Sequence, residues 1–466
     1  MRVLAAQLPL RYACFCLAWL LLIPLLLAGC APMRVAPEPA PGPAPSQPAE
    51  PARPPVAEPV RRLPEIGVPA EPAPAEPAPN LLPPGIAEPV VVALLLPLSG
   101  PHAGLGQALQ DAAFLAMNEL AGPNLVLVPR DTAGTYAGAL QAAQQALQSG
   151  ARLILGPVFR DSVLGAAEPA RRRGVPVVAF STDRTVAGNG VYLLGFTPGQ
   201  QVERVVRHAA DTGVRRFAAL APNSPYGYAV VQELRAAVDA FGLQLTGVQF
   251  YGANGDGAEE AVKSLGQYEA RRAGLGRRRA QLAAIGDAEA KRELRRLAKA
   301  DTYGELPFDA LLLPEGGQVL RQVAPLLPYY DVDGVRLLGT GLWDDPTLTR
   351  EPALVGGWYA APSPTVANDF RRRYKAAYGV EPPRIASLAY DAAALAAVLA
   401  QSGSRFDVSI LDNASGFAGS DGIFRFRPDG VAERGLAVLE ITSSGIEVVA
   451  PAPVTFEGLS RVKPGS

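Results

Sequence analysis

Val90-Val91-Val92-Ala93-Leu94-Leu95-Leu96 is an unbroken apolar run, and Pro97-Leu98-Ser99-Gly100-Pro101 stops it. A short run that is apolar on every residue fits a strand covered on both faces, and the proline and glycine after it fit a tight turn. From Gly106 to Leu120 the period changes. Ala108, Leu109, Ala112, Leu115, Ala116 and Leu120 recur at helical spacing, and Gly122-Pro123 ends the segment. The unit then repeats as strand Leu125 to Val128, helix Tyr136 to Ser149, strand Arg152 to Leu155, helix Ser162 to Arg173 and strand Val175 to Phe180. Short apolar strands alternating with helices predict an α/β fold with a parallel sheet between helical layers.

A second series of such units predicts a second lobe. Its elements are helix Gln201 to Thr212, strand Phe217 to Ala221, helix Tyr228 to Phe241, strand Leu243 to Phe250, and strands at Ala310 to Leu313, Val335 to Gly339 and Gly357 to Ala360. A helix over Ile385 to Gln401 follows. Gly422 to Arg427 and Leu436 to Ile441 alternate like strands around an Asp429-Gly430 turn.

Composition limits what such a domain can do. Cys14, Cys16 and Cys30 all fall near the N-terminus, and the only histidines are His102 and His208. Cysteine-based metal sites and a histidine-based triad are therefore not expected, nor is any cofactor. Single acids such as Asp131 and Asp391 read as caps or loop residues. With 43 basic and 44 acidic residues the net charge is −1, far from the basic balance of a nucleic-acid-binding domain.

Ahead of the first strand, Arg2 and Arg11 precede an apolar stretch from Phe15 to Leu27, closed by Leu27-Ala28-Gly29-Cys30. The stretch is shorter than the roughly 20 residues that cross a bilayer. It resembles a bacterial lipoprotein signal, which implies removal of residues 1–29 and lipidation of Cys30. Ala31 stands where lipoproteins held in the inner membrane carry aspartate, so the resemblance implies the outer membrane, with the chain facing the periplasm and touching the membrane through its lipid anchor only. Residues 30–88 are dominated by Pro, Ala and Glu and predict an extended, disordered tether with a reach on the order of 150–180 Å.

Several strings in order resemble the type I periplasmic-binding-protein fold of branched-chain amino-acid receptors. They are Leu94 to Pro101, Ile154-Leu155-Gly156-Pro157, Pro176 to Ser181, Ser224-Pro225-Tyr226-Gly227, Tyr390-Asp391-Ala392-Ala393 and Gly422 to Phe426. The resemblance implies two doubly wound lobes, three crossings between them, and a ligand cleft at the carboxyl ends of the strands. It places lobe one at about 89–198 and 364–424, lobe two at about 199–363 and 425–452, and a tail at 453–466. Cleft candidates are Ser99, His102, Arg160, Ser162, Ser181, Thr182, Asp183, Tyr226 and Trp343. Arg160 either clamps an anionic ligand or pairs with Asp161 or Asp183 across the mouth and locks it. Gln200 stands where amino-acid receptors carry an acid, and Thr340 to Trp343 stand where a second acid is expected.

Between about 259 and 305 lies an arginine-rich insertion with Arg271, Arg272, Arg277, Arg278, Arg279, Arg292, Arg295 and Arg296. It predicts one or two amphipathic helices broken at Gly274, Gly276 and Gly286, with a basic face open to an acidic protein, anionic glycan or lipid head group. With Phe308 to Pro314 and Ala324 to Tyr330, the insertion resembles the penicillin-binding protein activators. That resemblance implies a non-enzymatic, lipid-anchored regulator that stimulates a peptidoglycan synthase by contact. The alternative is the substrate-binding lipoprotein of an ABC-type uptake system, holding a small polar solute in the cleft.

Overall fold

The computed structural model describes residues 89–401, 406 and 408–457. Cys30 and the residues expected to form the signal and tether lie outside the described residues, as does the end of the tail.

Lobe one opens with β1 (Val90–Leu96), α1 (Ala103–Leu120), β2 (Leu125–Asp131), α2 (Tyr136–Gln148), β3 (Leu153–Leu155), α3 (Arg160–Arg173), β4 (Val177–Ala179) and β5 (Val191–Leu193). The strands form one sheet in the order β2-β1-β3-β4-β5, all parallel. Alternate residues of β1 face opposite cores. Val92, Leu94 and Leu96 meet Leu109 and Leu115, while Ala93 and Leu95 meet Ala139, Val163 and Ala166. Covering both faces is what the all-apolar run of β1 demands.

The chain then crosses to lobe two, with α4 (Pro198–Asp211), β6 (Arg216–Pro222), α5 (Pro225–Ala240), β7 (Gln244–Tyr251), α6 (Ala258–Leu265), α7 (Tyr268–Ile285), α8 (Ala288–Leu297), β8 (Ala310–Leu312), α9 (Gly317–Val323), α10 (Leu326–Tyr329), β9 (Arg336–Gly339) and β10 (Trp358–Ala361). It returns to lobe one for α11 (Pro364–Tyr378), α12 (Ala386–Gln401), α13 (Val408–Leu411) and a small antiparallel sheet of β11 (Phe417–Gly419), β12 (Gly422–Phe426) and β13 (Ala432–Arg434). A last crossing leads to β14 (Ala437–Thr442) and β15 (Gly445–Ala450), which extend the second sheet in the order β15-β14-β10-β9-β8-β6-β7.

Three expectations are corrected. The strands around Asp429-Gly430 do not form one hairpin with Leu436 to Ile441: β12 pairs with β13, while β14 pairs with β10 and β15 in the other lobe. Phe424, Phe426 and Ala432 belong to the core of lobe one, so the third crossing falls after Arg434 rather than after residue 424. In the insertion, α7 runs straight through Gly274 and Gly276, and only Gly286, at φ +69°, interrupts it. A glycine inside a helix costs about 1 kcal/mol yet need not break it. At Gly274 it also admits close packing, since a Cβ there would sit 3.3 Å from the Tyr303 carbonyl oxygen.

A candidate ligand cleft between the lobes

The loops that leave β3, β4, β9 and β10 meet where the two sheets present their carboxyl ends. They enclose a cavity of about 510 Å³. Lobe one supplies Val158, Phe159 and Arg160 after β3, Phe180 to Asp183 after β4, Arg384 and Ile385 just ahead of α12, and Leu388 in its first turn. Lobe two supplies Gln201, Tyr226, Gly341, Leu342, Asp344 and the end of β10, while Phe196 and Leu436 come from the crossings. The walls are mostly apolar, with the Phe159, Phe180 and Phe196 rings among them. The expected small polar solute therefore meets a drier surface than its name implies.

Five of the nine candidates line this cavity. Arg160 is the first residue of α3, its side chain 53% exposed, and its Nε sits 3.1 Å from Asp183 Oδ2. Its Nη1 lies 3.0 Å from Asp161. Both partners belong to lobe one, so Arg160 fixes the lip of one lobe and does not lock the mouth. Ser181 is buried and its Oγ accepts from the Asp183 N–H at 3.2 Å, while Thr182 is exposed at the lip. Asp183 Oδ1 also accepts from the Thr185 N–H at 2.9 Å. The Tyr226 hydroxyl pairs with Thr340 Oγ1 at 2.9 Å, and burial raises its pKa above the usual tyrosine value.

The other four stand outside the lining. Ser99 is exposed, and its N–H donates to Asp131 Oδ1 at 3.2 Å, a brace for the loop after β1. His102 is exposed at the start of α1, its ring 4.6 Å from that of Phe159. Ser162 is buried and donates to the Thr135 carbonyl at 3.3 Å, joining α3 to the start of α2. Trp343 is 0% exposed, and its Nε1 donates to the Glu315 carbonyl at 3.1 Å. It packs over Gly339 and Gly357, so it is core in lobe two.

Sequence reasoning missed Asp344 and Arg384, the charged pair facing across the cleft. Asp344 of lobe two receives Arg384 Nε at 3.4 Å and Arg371 Nη2 at 3.5 Å, both from lobe one. On the other flank Arg184 of lobe one meets Glu233 of α5 at 2.7 Å. These pairs tie the lobes together. An Asp344→Asn variant leaves two lobe-one arginines without this partner; opening should become easier by about 1 kcal/mol, since the arginines, 37% and 30% exposed, stay partly in water. Hydrogen exchange at the Leu342 and Trp343 amides should then quicken several-fold.

Behind Arg384 lies a buried charge cluster. Arg384 Nη1 is 3.3 Å from Asp421, and Asp421 neighbours Asp391, whose Oδ2 is 4.0 Å from Arg434 Nη1. Arg434 also donates to the Leu194 carbonyl at 2.8 Å, and its ring-facing guanidinium lies 4.6 Å from the Phe196 centroid. Gln200 bonds the Ala432 carbonyl and accepts from the Arg434 N–H at 3.0 Å. The position read as a missing ligand acid thus binds the first crossing to the third. Burial, and then the charge of Asp421, push Asp391 up to about 6 against the pull of Arg434.

Two lobes that each carry a mainly parallel sheet, three crossings and a walled cleft define a binding protein of the periplasmic type. The chain belongs to the periplasmic binding protein family, whose model matches residues 89–445. Among solved structures it is similar to a putative branched-chain amino acid ABC transporter protein from Rhodospirillum rubrum, with a TM-score of 0.62 and 17% identity over 78% of this chain and 100% of that one. It is also similar to a solute-binding protein of an ABC transporter from Rhodopseudomonas palustris BisB5, solved with 3,4-dihydroxybenzoic acid, with a TM-score of 0.52 and 18% identity over 78% and 96% of the two chains. Among curated proteins, RP748 of Rickettsia prowazekii is 22% identical over 176 residues, 38% of this chain and 47% of its own. The penicillin-binding protein activator LpoA of Vibrio vulnificus is 28% identical over 174 residues, 36% of this chain and 28% of its own. The chain therefore matches under half the length of either curated relative. No described helix is long and apolar enough to cross a membrane, and among the described residues no cluster of three or more His, Cys, Asp or Glu is placed to hold a metal ion.

Proposed function

We propose that the protein is the solute-binding component of an ABC-type uptake system, and that its cleft holds a small, largely apolar monoanion without an ammonium group. One observation carries this reading: a cavity of about 510 Å³ walled by phenylalanine rings, in which both lining carboxylates are already paired with arginines. An amino acid's ammonium would find no uncommitted acid there, and a buried charge without a partner costs several kcal/mol. The lining arginines are paired as well, Arg160 with Asp161 and Asp183 and Arg384 with Asp344 and Asp421, so an anion relies on backbone donors. The first turn of α3 faces the cleft with no side-chain cap on its N–H groups, beside Arg160. The aromatic acid held by the R. palustris relative has this chemistry. A thermal-shift panel of 3,4-dihydroxybenzoate, benzoate and leucine tests the reading. A bound aromatic acid at 100 times its Kd should add about 2.7 kcal/mol and leucine nothing, whereas stabilisation by leucine alone would overturn the ligand class.

A second reading has a specific observation behind it. The match to LpoA, together with the α7–α8 insertion, supports a regulator that acts on a peptidoglycan synthase by protein contact from a lipid anchor at Cys30 in the outer membrane. Replacing Cys30 with serine would then abolish synthase stimulation in cells while the domain stays folded.

A further inference from the structure

The eight arginines of the insertion divide into two sets. Arg271 is buried, and its Nε donates to the Gly266 carbonyl at 2.8 Å while its Nη2 reaches the carbonyls of Tyr330 at 3.2 Å and Asp331 at 2.9 Å. Arg278 holds Glu293 at 2.8 Å, and Arg279 donates to the carbonyls of Leu297 at 2.5 Å and Ala300 at 3.1 Å. These three staple α8 onto α7 and α7 onto the lobe. They are structural and leave the partner-binding set expected from sequence. Arg272, Arg277, Arg292, Arg295 and Arg296 are exposed, and among the described residues none of them, nor Lys291, has an ion pair.

On α8 the exposed cations lie three and four apart, so Lys291, Arg292, Arg295 and Arg296 share one face and repel one another. The opposite face is spent on the hairpin, with Ala290 buried and Glu293 held by Arg278. Aromatic side chains stand at the hairpin's base. Tyr303, 39% exposed, donates its N–H to the Arg271 carbonyl at 3.1 Å, and Tyr329, next to the Tyr330 carbonyl that Arg271 grips, is 73% exposed.

We propose that the α7–α8 hairpin and Tyr329 form a docking surface for an acidic segment of a partner protein. Exposed tyrosine at the base of the hairpin and exposed arginine along it are the residue types of protein contacts, with aromatic anchors and bidentate cations for carboxylates. A lipid surface fits less well, because the exposed face of α8 offers only charged residues and alanine, and Ile285 at the tip is the single large apolar side chain exposed on α7 or α8 among the described residues. The proposal does not depend on what the cleft binds.

The test uses the full chain, a fluorescent 20-residue poly-glutamate peptide and phosphatidylglycerol vesicles. The wild type should bind the peptide in a salt-sensitive way, and R292E/R295E/R296E should weaken binding at least about tenfold. R292Q/R295Q/R296Q should fall between the two, and Tyr329→Ser should weaken binding several-fold, with each variant's melting temperature close to wild type. Absence of peptide binding by the wild type, equal binding by the triple variants, or sedimentation with vesicles without peptide binding would each overturn the proposal.

Discussion

Replacing Arg434 with methionine is expected to lower the unfolding free energy by about 3–5 kcal/mol, read as a fall in the urea midpoint. The side chain is fully enclosed, and it is the positive charge nearest Asp391, which is 2% exposed. Asp421 keeps Arg384 at 3.3 Å when Arg434 is lost, whereas Asp391 is left with Ser420, whose N–H donates to its Oδ1 at 2.6 Å, and with no cation in place of Arg434. Without Arg434 the Asp391 carboxyl, already pushed up by burial and by Asp421, must either stay charged without its cation or take up a proton, and both cost stability. The double variant Arg434→Met with Asp391→Asn should therefore recover a large part of the loss, and that recovery separates the charge effect from simple loss of packing. The same change removes the bond to the Leu194 carbonyl, so the first and third crossings lose one of their ties.

The second large effect concerns the cleft. Thr182 sits exposed at the lip between Ser181 and Asp183, and tryptophan there would project into a space of about 510 Å³ without disturbing β4 behind it. Thr182→Trp should reduce affinity for the bound acid by at least tenfold while the unliganded melting temperature changes little. A surface substitution away from packed groups is usually worth under about 0.5 kcal/mol of stability, so the two readouts separate cleanly.

The contrast between what could and could not be read ahead of the structure follows the range of the interactions. β1 was legible because an apolar run, a proline and a glycine are local facts, and the alternation of strand and helix after it is local too. Arg160, Ser181, Thr182 and Asp183 were legible because a cleft in this architecture forms at the ends of β3 and β4, which the chain order already placed together. Arg384 and Asp344 were not. They lie 40 residues apart in different lobes, and nothing in either neighbourhood marks the pairing at 3.4 Å. Trp343 misled for the related reason that a strand end can face the core as readily as the cleft. The period-two pattern of 422–441 was real, but alternation does not say which strand is the partner, and β13 intervened before the chain changed lobes. In the insertion, composition counted the arginines correctly and could not tell Arg271, turned inward onto carbonyls, from Arg295, turned out to water.

The most direct test of the central claim is calorimetric titration of the full chain with 3,4-dihydroxybenzoate, alongside the Thr182→Trp variant and a parallel titration with leucine. Saturable one-to-one binding of the acid, its loss in the variant, and no heat from leucine beyond dilution are expected. Binding of leucine in place of the acid, or acid binding that Thr182→Trp leaves intact, would contradict the claim.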